Sequence, residues 1–384
     1  ANAAFHADET APATSNHIVH LVPSPDQSDI LTYHKADVPE PSGPTMDLTA
    51  TNIVIATGAK PRPLPGNPFA GALIDSTQAL EVNEFPSSAV IIGAGAIALE
   101  FASMGNAAGS KVTLLIRKDR VLSAWDRRAG TTLTRELKRH GVNIITRASV
   151  THVDTGANLG ATVHYTREGQ DGEQSVWGEI ALVAIGRDPI TDPAWGVTID
   201  DHGHVATDAY GRTDKPGVWA VGDVTAGHAL AHRAFEQGIV IAETIAGLNP
   251  KPVDEATVPQ IVFSFPEAAS VGLTVEQAQA REDLIEIKET NYPMLANARM
   301  LMSGTAGSLT IVSGCDAANP DTPRVLGVHM VSQMASDIIA EAEQLVGNHV
   351  PLADAARLVH PHPTFSETLG EALLKADGRP LHTR

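Results

Sequence analysis

His360-Pro361-His362-Pro363-Thr364-Phe365-Ser366-Glu367 places imidazoles and a carboxylate within a few residues of each other near the end of the 384-residue chain. His362 and Glu367 are separated by Pro363, so they cannot share one continuous helical face. Each proline disfavours helical geometry in the residue before it, which predicts extended backbone at His360 and His362. A helix can begin at about Ser366, with Glu367 in its first turn. A carboxylate there can hydrogen-bond the His362 ring and raise its basicity. Such a base takes a proton from a thiol, and the thiolate is the reactive nucleophile. Read alone, the pair also fits a purely structural contact, the commoner case.

The second candidate is Val90-Ile91-Ile92-Gly93-Ala94-Gly95-Ala96-Ile97-Ala98-Leu99-Glu100. It reads as a strand, a glycine turn and a helix start. Gly93 permits the tight turn, Gly95 lets backbone approach a pyrophosphate, and Ala98 is small enough for close helix–strand packing. Ala96 and Ile97 open the helix, whose free N–H groups and dipole favour phosphate. The alternative is a glycine turn with no ligand. At the end of the next strand an NAD site usually places Asp or Glu for the ribose 2′-hydroxyl. Here Ile116-Arg117-Lys118-Asp119-Arg120 stands instead. Arg117 and Lys118 suit a 2′-phosphate, which leans the reading toward NADP(H); the bland reading is a solvated turn. Together the two segments suggest redox chemistry with a nicotinamide nucleotide. No metal site is expected.

These residues need elements to hold them. The glycine turn predicts a helix to about Ala108, stopped by Gly109. Lys111–Ile116 is the second strand. Asp126 caps a helix to His140 with Leu133 and Leu137 at i, i+4, ended by Gly141, and Val142–Ile145 is the third strand. The βαβαβ order implies a parallel sheet. Residues 150–180 alternate like a β-meander, and Ile180–Ile185 is a further buried strand closed by Gly186-Arg187. Asn52–Ala56 is a short buried-strand candidate, and Pro61, Pro63, Pro65 and Pro68 make an extended connector. Val218–Val221 leads into Gly222-Asp223, with a helix from about Leu230 to Ala246. Beyond Pro250 and Pro252, short strands (Gln260–Phe263, Leu309–Val312, Leu326–Val331) mix with helices (Val275–Ala280, Ser336–Val346, Leu352–Leu358, Glu367–Lys375). Thr274 and Gln277 form a capping-box pattern. Residues 1–50, punctuated by Pro23, Pro25, Pro39, Pro41 and Pro44, read as hairpins and loops.

Composition narrows the classes. Apolar residues make up 43% of the chain, which fits a globular protein of two or three domains. A net charge of −18, from 27 basic and 45 acidic residues, disfavours nonspecific nucleic-acid binding. No apolar run is long enough to span a bilayer, and no signal peptide is visible, so no membrane partner is expected. A single cysteine, Cys315, excludes an internal disulfide framework and suits a reducing cytoplasm.

Taken in order, these motifs resemble the pyridine nucleotide–disulfide oxidoreductases, most closely their dihydrolipoamide dehydrogenase and glutathione-reductase-like branches. Ile53–Gly58 resembles the second flavin segment, and Gly93–Glu100 the nucleotide fingerprint. Ala184-Ile185-Gly186-Arg187-Asp188-Pro189 is similar to the turn that closes the nucleotide domain. Gly217–Asp223 resembles the flavin-ribityl motif, followed by Ala229-Leu230-Ala231-His232. Phe265-Pro266-Glu267 and Val271-Gly272-Leu273-Thr274 open a dimerisation domain, and His360–Glu367 resembles the C-terminal dyad. The resemblance implies an α/β fold of Rossmann-type nucleotide-binding domains with a C-terminal α+β dimerisation domain. It implies an FAD-domain remnant at 1–85, an NAD(P)-binding domain at 86–205, a second FAD segment at 206–255 and a dimerisation domain at 256–384. It also implies FAD contacts at Thr57, Gly58, Gly222, Asp223 and Ala229–His232, nucleotide contacts around Gly186 and Arg187, and Glu100 near the flavin. His362, oriented by Glu367, would be the acid/base for a disulfide of the partner subunit, which requires a homodimer. The substrate would be a small disulfide or dithiol, or a lipoyl group.

Three departures stand against the pattern. The family's first flavin fingerprint and its Cys-x4-Cys pair are missing, and Ala3-Ala4-Phe5 resembles a strand that should follow both; with no initiator Met, an N-terminally truncated chain is expected, inactive alone. The Lys that meets Glu100 is absent. The basic turn at Arg117 looks like glutathione reductase, whereas His360 before Pro361 favours the lipoamide type. An enzyme using lipoamide and NAD therefore competes with an NADPH-dependent disulfide reductase, and both compete with a degenerate nucleotide-binding dimer that does no dithiol chemistry.

Overall fold

A computed structural model describes residues 17–23, 29–35, 47–156 and 160–383, with side chains described from residue 50 onward. The strand expected at Ala3-Ala4-Phe5 lies outside the described residues, as do Pro25, Pro39, Pro41 and Pro44. The chain divides into two compact units. One uses the chain up to Lys60 together with Arg187–Glu255; the other uses Pro61–Gly186 and Ala256–Arg384.

The larger unit holds the parallel sheet that the βαβαβ order predicts. Its strand order is Leu73–Ile74, Ile180–Val183, Ser88–Ile92, Lys111–Leu115, Asn143–Ile145, every pair parallel. Both faces are covered, which is why Val90, Ile91 and Ile92 form a continuous apolar run rather than an alternating one. Ile91 and Leu114 pack against Ala98 and Leu99 of the Ala96–Ala107 helix and Leu133 and Leu137 of the Arg127–Arg139 helix. Val90, Ile92 and Leu115 face Ala161, Val163 and Tyr165 of the meander, an antiparallel sheet of Ala148–Asp154, Ala161–Arg167 and Gln174–Gly178. The helix punctuation is as expected: Asp126 accepts from the Ala129 N–H at 2.8 Å, and Gly109 and Gly141 take positive φ after the two helix ends.

The same unit contains an antiparallel sheet ordered Gln260–Val262, Glu267–Gly272, Asn319–Ser332, Ser308–Asp316, Leu284–Pro293. The structure corrects the sequence reading here. The strands expected at Leu309–Val312 and Leu326–Val331 are 9 and 14 residues long, and Glu267–Gly272 and Leu284–Pro293 escape prediction. Leu284–Pro293 is an edge strand, so its charged residues are tolerated and mask the pattern. Pro320 and Pro323 sit in the half of the long strand that lies beyond its ladder with Glu267–Gly272, where a missing N–H is better tolerated. Against this sheet lie Ala335–Gly347 and Glu367–Ala376, sealing a core of Leu309, Ile311, Val328, Ile339, Leu369 and Leu373. The helix expected over Leu352–Leu358 ends at Ala355; the Arg357 and Leu358 N–H groups turn to carbonyls three residues back.

In the smaller unit, Ile53–Ile55 and Val218–Ala220 form a two-stranded parallel sheet beside the Ala231–Ile245 helix, and His17–Pro23, Asp29–Lys35 and Asp47–Thr49 form an antiparallel one. Val54, expected in a buried strand, is 45% exposed, and its strand buries only the opposite face through Ile53 and Ile55. The proline connector of the larger unit is not uniformly extended: the Asn67 N–H donates to the Leu64 carbonyl at 3.0 Å, closing a tight turn. Among the described residues, no helix is long and apolar enough to cross a membrane.

Candidate functional site

Gly93 ends the central strand with φ +144°, its N–H donating to the Leu115 carbonyl at 3.1 Å. A side chain there would collide with the Ala184 carbonyl, so the crossing of two strand ends demands glycine. Gly95 differs. Its φ is ordinary, and a Cβ built on it meets no atom within 4 Å. That open space lies at the start of a 12-residue helix with no side-chain cap and no acidic residue in its first turn. The N–H groups of Ala96 and Ile97 and the positive dipole end thus face a cradle that fits a pyrophosphate. Gly186 is exposed, follows the neighbouring strand with φ +131°, and its carbonyl accepts from the Arg62 N–H at 3.0 Å.

At the end of the second strand Ile116 is buried, while Arg117 and Lys118 are exposed with no side-chain partner among the described residues. Arg120 is not equivalent to them. It pairs with Asp119 at 3.3 Å and donates to the Ser123 carbonyl at 3.1 Å, so it is committed to its own turn. Glu100 accepts the Phe263 N–H at 3.0 Å, and Ser103 accepts that of Phe265 at 3.2 Å. With no lysine to meet it, the Glu100 carboxylate caps an N–H just beyond the Gln260–Val262 strand.

The smaller unit gathers the flavin-type turns. Thr57 and Gly58 follow one strand, Gly222 and Asp223 follow its parallel neighbour, so all four lie at C-terminal strand ends, where α/β sheets bind ligands. Thr57 donates to the Ile190 carbonyl at 2.6 Å, and Gly58, at φ +70°, accepts the Ile190 N–H at 2.9 Å. Arg187 reaches the Ala59 carbonyl. The Gly222 N–H donates to Gln237 at 3.0 Å, and Asp223 sits in the first turn of Gly222–Val224. Ala229 and Leu230 precede the helix, which Ala231 and His232 open. Two supports escaped sequence reading: Gln237 and the buried Arg233, which holds Glu255, Thr225 and the Ala226 carbonyl. Their i, i+4 spacing on the helix was the available signal.

The C-terminal pair is brought together as expected. His362 Nδ1 lies 2.8 Å from Glu367 Oε1, and the other carboxylate oxygen accepts the Thr364 N–H at 2.8 Å. Burial pushes the Glu367 carboxyl up, but the Thr364 N–H and the His362 ring outweigh it and hold it below its ordinary value. Glu367 also opens its helix, where the dipole favours a negative charge. The His362 side chain is 72% exposed, and its Nε2 has no partner among the described residues. The result is an ionised carboxylate on Nδ1 and a free proton-accepting edge facing outward.

His360 is a different kind of group. Its Nε2 lies 2.9 Å from Glu341 and its Nδ1 3.2 Å from the Leu358 carbonyl, with the ring seated over Gly370. Glu341 raises its pKa against the opposing effect of burial. The stability it contributes is fully present below about pH 6.5 and is lost as pH rises through the elevated folded value. Glu341→Gln is expected to flatten the pH dependence of Tm above pH 6.5; an unchanged profile rejects this role. Cys315 is fully buried on the Ser308–Asp316 strand, and burial pushes its thiol up, away from the thiolate.

Residues 16–238 match the family model described as pyridine nucleotide-disulphide oxidoreductase, and residues 258–373 match its dimerisation domain. The chain belongs to this family. It is 37% identical over 341 residues to a dihydrolipoyl dehydrogenase of Cupriavidus necator and 36% identical over 341 residues to one of Bacillus subtilis, covering 87% of this chain and 70% of each relative. Among solved structures, LpdA (Rv3303c) from Mycobacterium tuberculosis aligns with a TM-score of 0.80 at 26% identity, over 93% of this chain and 76% of that one. The HOCl-induced flavoprotein disulfide reductase RclA from Escherichia coli aligns with a TM-score of 0.76 at 26% identity, over 90% and 76%. This member of the pyridine nucleotide-disulphide oxidoreductases is dihydrolipoyl dehydrogenase-like, and the family implies FAD and NAD(H) as its cofactors.

Proposed function

We propose that this chain supplies the nucleotide cradle and the acid/base pair of a dithiol–disulfide oxidoreductase acting on a small dithiol or a lipoyl group, as a homodimer. The observation that carries the reading is the 2.8 Å His362–Glu367 contact with Nε2 left free. His362 Nε2 takes the thiol proton of the substrate, Glu367 stabilises the imidazolium that forms, and the thiolate then attacks a disulfide. Cys315 is buried and single, so that disulfide is not made from this chain's own cysteines. Gly93, Gly95, Ala96, Ile97, Gly186 and Arg187 would hold the dinucleotide; Thr57, Gly58, Gly222, Asp223 and Ala229–His232 would hold FAD. When bound, these cofactors carry the electron pair. Phe263, Leu301, Met302 and Val359, all more than 60% exposed within 256–384, support self-association there. The test is dihydrolipoamide-dependent reduction of NAD(P)+ by the native gene product. Its complete absence, with nucleotide still bound, would favour the second reading, a nucleotide-binding dimer without dithiol chemistry.

The exposed Arg117 and Lys118 support NADP(H) over NAD(H). Exposed charge pairs are individually modest, so 2′-phospho-ADP-ribose should bind roughly 3- to 10-fold tighter than ADP-ribose, and the difference should shrink with salt. Calorimetric titration of both ligands checks this. Equal affinities, or a preference that survives Arg117→Ala with Lys118→Ala, would reject the assignment.

A further inference from the structure

The meander carries a cluster that the redox chemistry does not use. His152 and Asp154 lie two residues apart on one strand, so their side chains share a face. His164 on the next strand pairs directly with His152. The pairing depends on a bulge between Val150 and His152, which makes Thr151 an extra residue. In a regular register His152 would oppose Val163 and point into the core; the bulge turns it outward beside His164. The two rings stack with centroids 4.1 Å apart and planes 8° apart.

The ring edges are sorted by element. Both Nε2 atoms face Asp154, at 3.1 Å from His164 and 3.8 Å from His152. Both Nδ1 atoms face Glu173, one to each oxygen, at 3.6 Å from His164 and 3.8 Å from His152. Thr151 donates to Glu173 at 2.6 Å and holds that carboxylate in place. One ligand atom from each of His152, Asp154 and His164 falls within 4.8 Å of the others. A tetrahedral ion with bonds of ~2.0–2.1 Å spaces its ligands ~3.3 Å apart, so the atoms are near ligand spacing and rotation of a ring out of the stack lets both Nε2 lone pairs meet one ion.

We propose that His152, His164 and Asp154 bind a divalent cation of the imidazole-preferring late first-row class, Zn2+ foremost, with the Glu173 carboxylate as a nearby outer charge. Two imidazoles and one carboxylate make a three-ligand set with an open fourth position. Imidazole donors favour Zn2+, Ni2+ and Cu2+ over Mg2+ and Ca2+, which require oxygen-rich cages. Glu173 sets a negative charge 3.6–3.8 Å from both Nδ1 atoms, on the ring edges away from Asp154. The Asp154 side chain is 67% exposed, which leaves an entry path. The ion would pin two adjacent strands of the meander. It is not tied to the His362–Glu367 pair.

Metal-stripped chain is titrated with Zn2+ and, in parallel, Mg2+ by calorimetry, alongside His152→Ala, His164→Ala and His362→Ala. The expected result is one Zn2+ equivalent that survives His362→Ala and weakens at least about tenfold in either of the other variants, a loss that even an outer-shell partner causes at a built metal site. Mg2+ should not compete. Circular dichroism checks that the variants are folded. Cu2+-loaded protein should show hyperfine coupling from two imidazole nitrogens, and this reading stands even if one variant fails to fold. No Zn2+ uptake, uptake unchanged in both His152→Ala and His164→Ala, or coupling from a single nitrogen overturns the site.

Discussion

His362→Gln is expected to lower dithiol turnover of the native gene product by roughly 100- to 10,000-fold, the range that a positioned acid/base supplies. The substitution removes the imidazole whose exposed Nε2 is the proton-handling atom of the pair. Glu367 cannot replace it. Its carboxyl is held below the ordinary range once burial is outweighed by the Thr364 N–H and His362, so it stays ionised and has no proton to give. Stability should barely change, because the His362 side chain is 72% exposed. Glu367→Gln should have the reverse character: a smaller loss of turnover, a shift in its pH profile and a measurable loss of stability. The sign follows from the lowered pKa. The stability Glu367 contributes is present above its unfolded value of about 4.3 and fades as pH falls through the folded one. Steady-state rates across pH for both variants check this, and wild-type turnover in His362→Gln would dismiss the dyad.

The second large effect separates two glycines that look interchangeable in the sequence. Gly93→Ala should destabilise the protein by about 3 kcal/mol or more, because it adds a collision with the Ala184 carbonyl to a φ of +144°. Gly95→Ala has neither problem. Its φ of −91° suits alanine and its Cβ meets nothing within 4 Å. Tm should therefore hold, while the new methyl fills the cradle and nucleotide affinity falls at least about tenfold, a loss of 1.4 kcal/mol. Thermal melts and ADP-ribose titrations read both quantities. A large Tm loss in Gly95→Ala, or unaltered binding with Tm intact, would remove the cradle from the site.

Much of the site was legible because it is local. The Asp126 cap, the Thr274–Gln277 capping box and the Glu367 helix start each depend on residues within one or two turns. Backbone sterics and short hydrogen bonds decide these features, and both are written in neighbouring residues. The His362–Glu367 contact belongs with them, five residues apart with a proline to set the path.

What the tertiary structure decided lies between residues far apart in sequence. Glu100 meets the Phe263 N–H across 163 positions, and Arg233 meets Glu255 across 22. The long Asn319–Ser332 strand hid its first half behind prolines that sit beyond its ladder with Glu267–Gly272. His152 faces His164 because a bulge shifts one strand by a residue. Periodicity tells which face of an element is apolar, but not which partner covers it or in what register. The sequence alone therefore determined the turns, caps and ends where chemistry can sit, and packing determined which of those groups meet.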